Sequence, residues 1–540
     1  MMKKANQYLF ASMFLCLACI VPAIVEASDD YWAPWVTKTT TNSATINWRG
    51  KNNKAGSIDY ATLSYYNDHQ SFDKTAVSHT TTNYQHVLLA DLDPDTEYIY
   101  KVKPSENEDV FSNRTFRTMP VSGPFTFIVI SDSQEGDNYT EEKRFKYVGE
   151  AIAKETNVLF ILHGGDYAGH DSEDLWTTYF QLADGMLSKF AIFPVIGNHE
   201  YHNGGATNGP TAADQYHWAY GIDMDTPLNY SFDCSGIRFV ILNSPDPNNA
   251  NGDDPHTSLA LAQSQAPWLS NQLDNTMSGT FTIHHHPIWD NGRTNIDSNL
   301  EPWESLYHAY KISANFAGHT HNYQRFLVEG IPYFIVGIGG GQCADITNTV
   351  PTWYQFGETR KLGYIKVFVD PANNTATLQE IVAATVEEDD DDETPYVYDT
   401  PVIDDTVTFP LKTVIGPVIK ANGSINDITI NNGANLSITV QMNPGEFDGY
   451  DVDWWIVARA GSSLYYLNNS VQWTQFDGNL SNCHPVNQGA LFNLPATEVL
   501  NMSGLPVGSY TFWFAVDYPM DGILNLDGQI LVDSVKVVVQ

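Results

Sequence analysis

Five short polar clusters in this 540-residue chain carry residue types that hold metal ions and move protons. They read ISDSQ (Asp132, Gln134), HGGDY (Asp166), IGNHEYH (Asn198, His199, His202), IHHHPIW (His284, His285, His286) and AGHTHNYQR (His319, His321, Arg325). Two carboxylates, an amide oxygen and at least three imidazoles, with no thiolate, make a hard-to-borderline donor set suited to Mn, Fe or Zn. One ion needs three or four of these donors. A shared carboxylate lets two ions sit about 3.5 to 4 Å apart and clamp the attacking and leaving oxygens of a phosphoryl transfer. Alone, each cluster has an ordinary structural use: a strand-end Asp caps a helix, and a lone His packs in a core. Five in order within one domain carry more weight than any one of them.

Ligands of open α/β sheets gather beyond the carboxyl ends of strands, where the connecting loops converge. Each cluster follows an apolar run of strand length, and helical stretches such as FKYVGEAIAKE and LWTTYFQLADGML separate the first three runs. This alternation predicts a layered α/β domain over residues 121–386 whose loops can meet at one site. Before it, residues 28–120 alternate apolar and polar positions between Asn, Gly, Asp and Pro turns, the pattern of a small β-sandwich. After it, the acidic run EEDDDDE marks a solvated linker over 387–399, and alternating strands resume over 400–540 as a second β-sandwich. The fold class expected is therefore multidomain: β-sandwich, α/β domain, C-terminal β-sandwich.

Composition narrows the partners. A formal net charge of −37 argues against a nucleic-acid backbone. Residues 1–27 combine Lys3 and Lys4, an apolar stretch from Leu9 to Ile24 and a small residue at Ala27, the layout of a cleaved signal peptide; an uncleaved anchor is the other reading. Export to an extracellular or periplasmic space follows, with no transmembrane segment left after removal. Beyond that segment, Cys234, Cys343 and Cys483 allow at most one intramolecular disulfide.

The ordered set D, GD, GNHE, H-x-P and GHxH resembles the calcineurin-like metallophosphoesterase superfamily. GHTHNYQR, the later YFIVGIGGG, and the earlier LDPDTEYIYKV and NRTFRT resemble its purple-acid-phosphatase branch, with a fibronectin-III-like N-terminal domain. The resemblance implies a four-layer catalytic β-sandwich flanked by helices and two metal ions, Fe, Mn or Zn. Asp132 and His321 would serve the first ion, Asp166 would bridge, and Asn198, His285 and His319 would serve the second. His199 would be the catalytic group outside the metal shell, contacting the phosphate or protonating the departing alkoxide. A metal-bound hydroxide would attack small phosphomonoesters, as in an acid phosphatase.

Three features depart from that pattern. Gly169 stands where purple acid phosphatases place a tyrosine ligand, so no iron–tyrosinate band is expected. Gln134 either offers its carbonyl oxygen to the first metal or hydrogen-bonds within the site. Thr294 and Asn295 replace a histidine pair that plant-type enzymes use on the substrate, a role His284, His286 or His202 would take over, while Arg325 either holds the substrate anion or fixes its own loop. These departures keep a phosphodiesterase or nucleotidase open as the alternative. A non-catalytic surface protein with a vestigial site is the second alternative. The C-terminal domain is read as a surface-association module. If AGHTHNYQR continues a strand, His319 and His321 point to one side and each reaches one ion.

Overall fold

A computed structural model describes residues 31–540 apart from segments 106–110, 135–143, 204–210, 253, 274–276, 292–294, 347–352, 388–394, 413–415, 426 and 527–528. The leader, Thr294 and most of the acidic run lie outside the described residues.

The region that carries the five polar clusters is built on two sheets. One has six strands in the order Ala191–Pro194, Phe160–His163, Phe125–Ile130, Lys361–Asp370, Thr375–Thr385, Tyr396–Pro410. Its first three strands run parallel and the rest antiparallel. The other has seven strands in the order Tyr230–Cys234, Ile237–Ile241, Gly279–Ile283, Ala314–Ala317, Ile331–Val336, Tyr323–Val328, Tyr354–Glu358.

Strand alternation explains how these sheets are covered. Along FTFIVI, Phe127 and Val129 join a core with Phe239, Phe281, Phe316 and Phe334 of the facing sheet. The Phe127 ring meets those of Phe239 and Phe281 edge-on at 5.1 and 5.5 Å. Ile128 and Ile130 face the other way, into a second core with Phe145, Val148, Trp176 and Phe180 of helices Phe145–Ala153 and Glu173–Leu187. On the far side, Val240, Leu242 and Ile335 pack with Leu269, Trp303 and Tyr307 of helices Leu259–Gln272 and Glu301–Tyr310. Each sheet thus buries one face on the other sheet and one on helices.

The N-terminal region has a three-stranded and a four-stranded sheet. Its first strand, Trp32–Thr37, lies on helix Glu173–Leu187: Trp32 stacks on Phe180 at 4.5 Å and donates its indole N–H to Thr177 Oγ1 at 2.8 Å. Arg49 and Arg114 pair with Glu173 and Asp184 of the same helix. This helix follows the Asp166 loop, so the N-terminal sheets brace the site from behind.

The C-terminal boundary differs from the expected one. Tyr396–Pro410, placed by its sequence in the linker and the last domain, instead pairs antiparallel with Thr375–Thr385 as the edge strand of the six-stranded sheet. Its alternating pattern suits any half-buried strand, and only pairing decides which sheet receives it. Leu411 is fully buried in the catalytic core, and Ser313 Oγ donates to its carbonyl. Beyond it, a three-stranded and a seven-stranded sheet enclose a separate core around Ile438, Trp454, Phe514 and Val537. Cys234, Cys343 and Cys483 are buried.

Candidate metal centre

Every predicted ligand sits in a loop that leaves a parallel strand at its carboxyl end. Asp132 follows Phe125–Ile130, Asp166 follows Phe160–His163, and Asn198 follows Ala191–Pro194. His285 follows Gly279–Ile283 in the other sheet, and His319 and His321 follow Ala314–Ala317. The turns are sharp: Asp132, Asp166 and His319 adopt left-handed conformations with φ of 59°, 57° and 66°. Non-glycine residues rarely hold such angles, and their clustering at one place is typical of a functional site. The motif glycines permit the crowding. A Cβ at Gly197 would overlap the Asp166 carboxylate, and one at Gly318 would overlap Asp132 and Ser131.

Two ligand groups result. Asp166, His285 and His319 can each point one donor atom into a common space within 4.8 Å, and so can Asp132, Asp166 and His321. Asp166 belongs to both. Its Oδ2 lies 3.2 Å from His285 Nε2, and His321 Nε2 lies 3.4 Å from Asp132 Oδ1. Asn198 Oδ1 lies 2.8 Å from His285 Nε2 and 3.0 Å from His319 Nδ1, beside the second group.

The outer contacts fix which nitrogen each ring presents. His285 Nδ1–H donates to the Gly164 carbonyl at 2.9 Å, and His321 Nδ1–H to that of Gln342 at 2.6 Å. A carbonyl only accepts, so Nδ1 of each ring holds a proton and Nε2 is the nitrogen turned toward the carboxylates and open to a metal. The charges fit a metal pair as well. Asp132 and Asp166 are 0% and 1% exposed, and the ion-pairing partners the described residues give them are imidazoles. Burial works against a charged His285, but Asp166 outweighs it and holds this imidazole up to about 9. Burial likewise works against the Asp166 carboxylate, and the His285 and His199 rings bring it well below the usual range. Buried carboxylates with this demand for positive charge, among imidazoles and an amide oxygen, suit two metal ions.

His199 stands at the rim. Its Nδ1–H donates to the Gly169 carbonyl at 2.6 Å, and its Nε2 lies 3.8 Å from Asp166 Oδ2. The His202 ring is 4.3 Å from it. Gln134 enters the centre: its side-chain amide lies 3.2 Å from Asp166 Oδ2 and 3.0 Å from His321 Nε2 through Nε2, while Oε1 is buried without a hydrogen-bond partner. Exchanging the two ends of that amide would bring the oxygen to the first ligand group.

Other expected residues are elsewhere. Arg325 makes a two-point ion pair with Asp405, Nε to Oδ2 at 2.8 Å and Nη2 to Oδ1 at 3.3 Å. It stitches strand Tyr323–Val328 to strand Tyr396–Pro410, so its guanidinium is committed to the scaffold. His286 is 5% exposed behind His319, with Nδ1 hydrogen-bonded to Ser244 Oγ at 3.0 Å, which removes it from the open face. His284 is packed between the His286 carbonyl and Asn315. Tyr167 is buried and stacks on His163 at 3.8 Å, away from both ligand groups. His319 and His321 diverge through the left-handed turn at His319, not through strand alternation, and Thr320 faces away to donate to Asp290 at 2.7 Å.

Glu200, the last letter of GNHE, is not among the sequence-predicted site residues. Its carboxylate is 1% exposed and accepts the N–H groups of Asp166 (2.9 Å), Tyr167 (2.9 Å) and Gly197 (2.7 Å). Burial first, then the Asp166 charge, push it up to about 8 against those three donors. A charged residue directly after Asn198 and His199 was the available signal.

Comparison with known proteins agrees with this geometry. Residues 125–323 match the calcineurin-like phosphoesterase family, and residues 21–118 match the purple acid phosphatase N-terminal domain. Probable purple acid phosphatase 20 and purple acid phosphatase 21 of Arabidopsis thaliana are each 25% identical, over 52% and 53% of this chain. The matches span about two thirds of those relatives, 65% and 67% of their lengths. Among solved structures, PhoD superposes with a TM-score of 0.54 at 14% identity, over 71% of this chain and 90% of that one. A purple acid phosphatase from yellow lupin (Lupinus luteus) seeds gives 0.52 at 15%, over 70% and 74%, which supports the fold. The chain thus carries a calcineurin-like phosphoesterase domain preceded by a purple acid phosphatase N-terminal domain.

Proposed function

We propose that this chain is an exported, two-metal phosphoric ester hydrolase acting on small phosphomonoesters. The observation that carries the reading is Asp166, one carboxylate shared by two three-residue ligand groups. Asp132, His321 and Gln134 would hold one ion, and His285, His319 and Asn198 the other, with Asp166 between them. Bound there, such ions supply Lewis acidity toward the phosphoryl oxygens and lower the pKa of water toward about 7. Fe with Zn is one candidate pair, since a relative bears the name Fe(3+)-Zn(2+) purple acid phosphatase 12.

The remaining chemistry belongs to the chain. His199, its Nδ1–H engaged by Gly169, presents Nε2 at the rim, where the protonated ring donates to a phosphate oxygen or to the leaving alkoxide. His202 adjoins it as a further phosphate contact. The buried carboxylates and the bracing helix keep donor positions fixed, which limits reorganisation during the reaction. Export rests on the leader pattern of residues 1–27, and surface association is assigned to the C-terminal sheets. A mature N-terminus after Ala27 in mass spectra of secreted protein, and cell binding lost on deleting residues 412–540, would test these two points.

The main test assays purified protein, supplied with Mn, Fe or Zn, on an aryl phosphate, a bis-aryl phosphate and nucleotides, beside Asp166→Ala. Monoester turnover lost in the variant is expected. Inactivity on every substrate, with fewer than two ions bound, would leave the non-catalytic surface protein as the better account. Hydrolysis of diesters or nucleotides is the second reading. Arg325 favours the diester: neutralised by Asp405, it offers no free guanidinium to a monoester dianion, whereas a diester monoanion needs less positive charge.

A further inference from the structure

Asp254 lies in the hairpin of strands Asp246–Asn251 and Asp254–His256, outside all five polar clusters. Its Oδ1 accepts the side-chain N–H of Asn198 at 2.9 Å and lies 3.2 Å from His202 Nε2. A carboxamide donates from one end and accepts at the other. Once Nδ2 is tied to Asp254, the Asn198 oxygen must turn the opposite way, toward His285 Nε2 and His319 Nδ1. The reversed amide would offer those positions an NH2 group, which has no lone pair to give a metal.

We propose that Asp254 is a positioning residue for the second metal: it orients the Asn198 amide so that its oxygen faces the ion, and it holds His202 beside His199. The proposal rests on the two-metal reading. Outer contacts of this kind set ligand orientation, and losing one typically costs about 10- to 100-fold in metal affinity. Asp254 reaches the centre from a separate hairpin, so its effect should fall on one ion and spare the other.

The test equilibrates full-length protein with zinc over a chelator-buffered series and counts bound zinc by mass spectrometry. Wild type should bind two ions. Asp254→Ala should weaken one ion about 10- to 100-fold and leave the other unchanged. Asp254→Asn, whose side-chain oxygen can still accept from Asn198, should retain that ion within a few-fold. Thermal melts of the metal-free variants establish that each is folded. The proposal is overturned if Asp254→Ala binds both ions like wild type, if both ions weaken equally, or if Asp254→Asn loses as much as Asp254→Ala. Wild type binding fewer than two ions would instead refute the two-metal reading, and the role of Asp254 with it.

Discussion

Glu200 Oε2 accepts the backbone N–H of Asp166 at 2.9 Å, so a buried carboxylate that faces neither ligand group fixes the turn that presents the carboxylate shared by both. Asp166 sits at φ 57°, and Glu200 binds the chain on either side of the gap, at Asp166 and Tyr167 and at Gly197. Glu200→Gln replaces one acceptor with an NH2 that would confront backbone donors. The expected cost is about 1–3 kcal/mol, with a lower Tm and weaker binding of both ions because the shared Asp166 moves. Calorimetry and metal titration check it; a variant that binds both ions like wild type would show that the Asp166 turn holds itself.

The two histidines of GHTH divide between the ligand groups. His319 stands with Asp166 and His285, and His321 with Asp132 and Asp166. His321→Ala should therefore release the ion held with Asp132, and His319→Ala the ion held with His285. Each variant should retain close to one ion per chain, and turnover should fall by at least 10²-fold in both, since removing one metal dismantles the clamp. Anomalous scattering from metal-loaded crystals would show which position empties. Loss of the same ion in both would contradict the division.

The candidate ligand set was legible because metal chemistry restricts residue types and parallel strands deliver their loops to one edge. Asp132, Asp166, Asn198, His285, His319 and His321 could be named from spacing and resemblance before any geometry was known. Asp254 could not, since a residue acting through hydrogen bonds to an amide carries no compositional mark, and Glu200 left only the faint mark of a charge beside Asn198 and His199. The edge strand Tyr396–Pro410 was misplaced for a related reason: alternation reveals a half-buried strand but not its partner. Arg325 was ambiguous because the residue deciding its role, Asp405, lies 80 positions away. Strand geometry predicted His319 and His321 on one side, each reaching one ion, whereas the chain delivers them to separate ligand groups through a left-handed turn that sequence pattern does not announce.

Arg325 gives a test of scaffold against substrate. Its guanidinium binds Asp405, which is 9% exposed and also accepts from Tyr323 Oη at 2.9 Å. Arg325→Ala leaves that carboxylate half-satisfied at the junction of the two sheets. A loss of about 2 kcal/mol is expected, the scale of a hydrogen bond to a charged group. KM for a phosphomonoester should stay within about two-fold of wild type, a difference under about 0.5 kcal/mol. A tenfold rise in KM with unchanged Tm would return Arg325 to the substrate.

Colour offers the last test. An iron–tyrosinate band needs a phenolate among the ligand atoms, and the position where purple acid phosphatases carry that tyrosine is Gly169, whose carbonyl is taken by His199. The nearby phenol, Tyr167, is stacked on His163, and its hydroxyl points back to the His163 carbonyl at 3.4 Å. Burial among Tyr220, Tyr216 and Tyr179 pushes its ionisation well above the ordinary tyrosine value, which opposes a phenolate further. Protein loaded with ferric iron and zinc should therefore lack an intense visible absorption band, and Tyr167→Phe should leave its spectrum unchanged. A strong visible band that vanishes in Tyr167→Phe would mean that the Asp166 loop rearranges on metal binding far enough to turn this ring around.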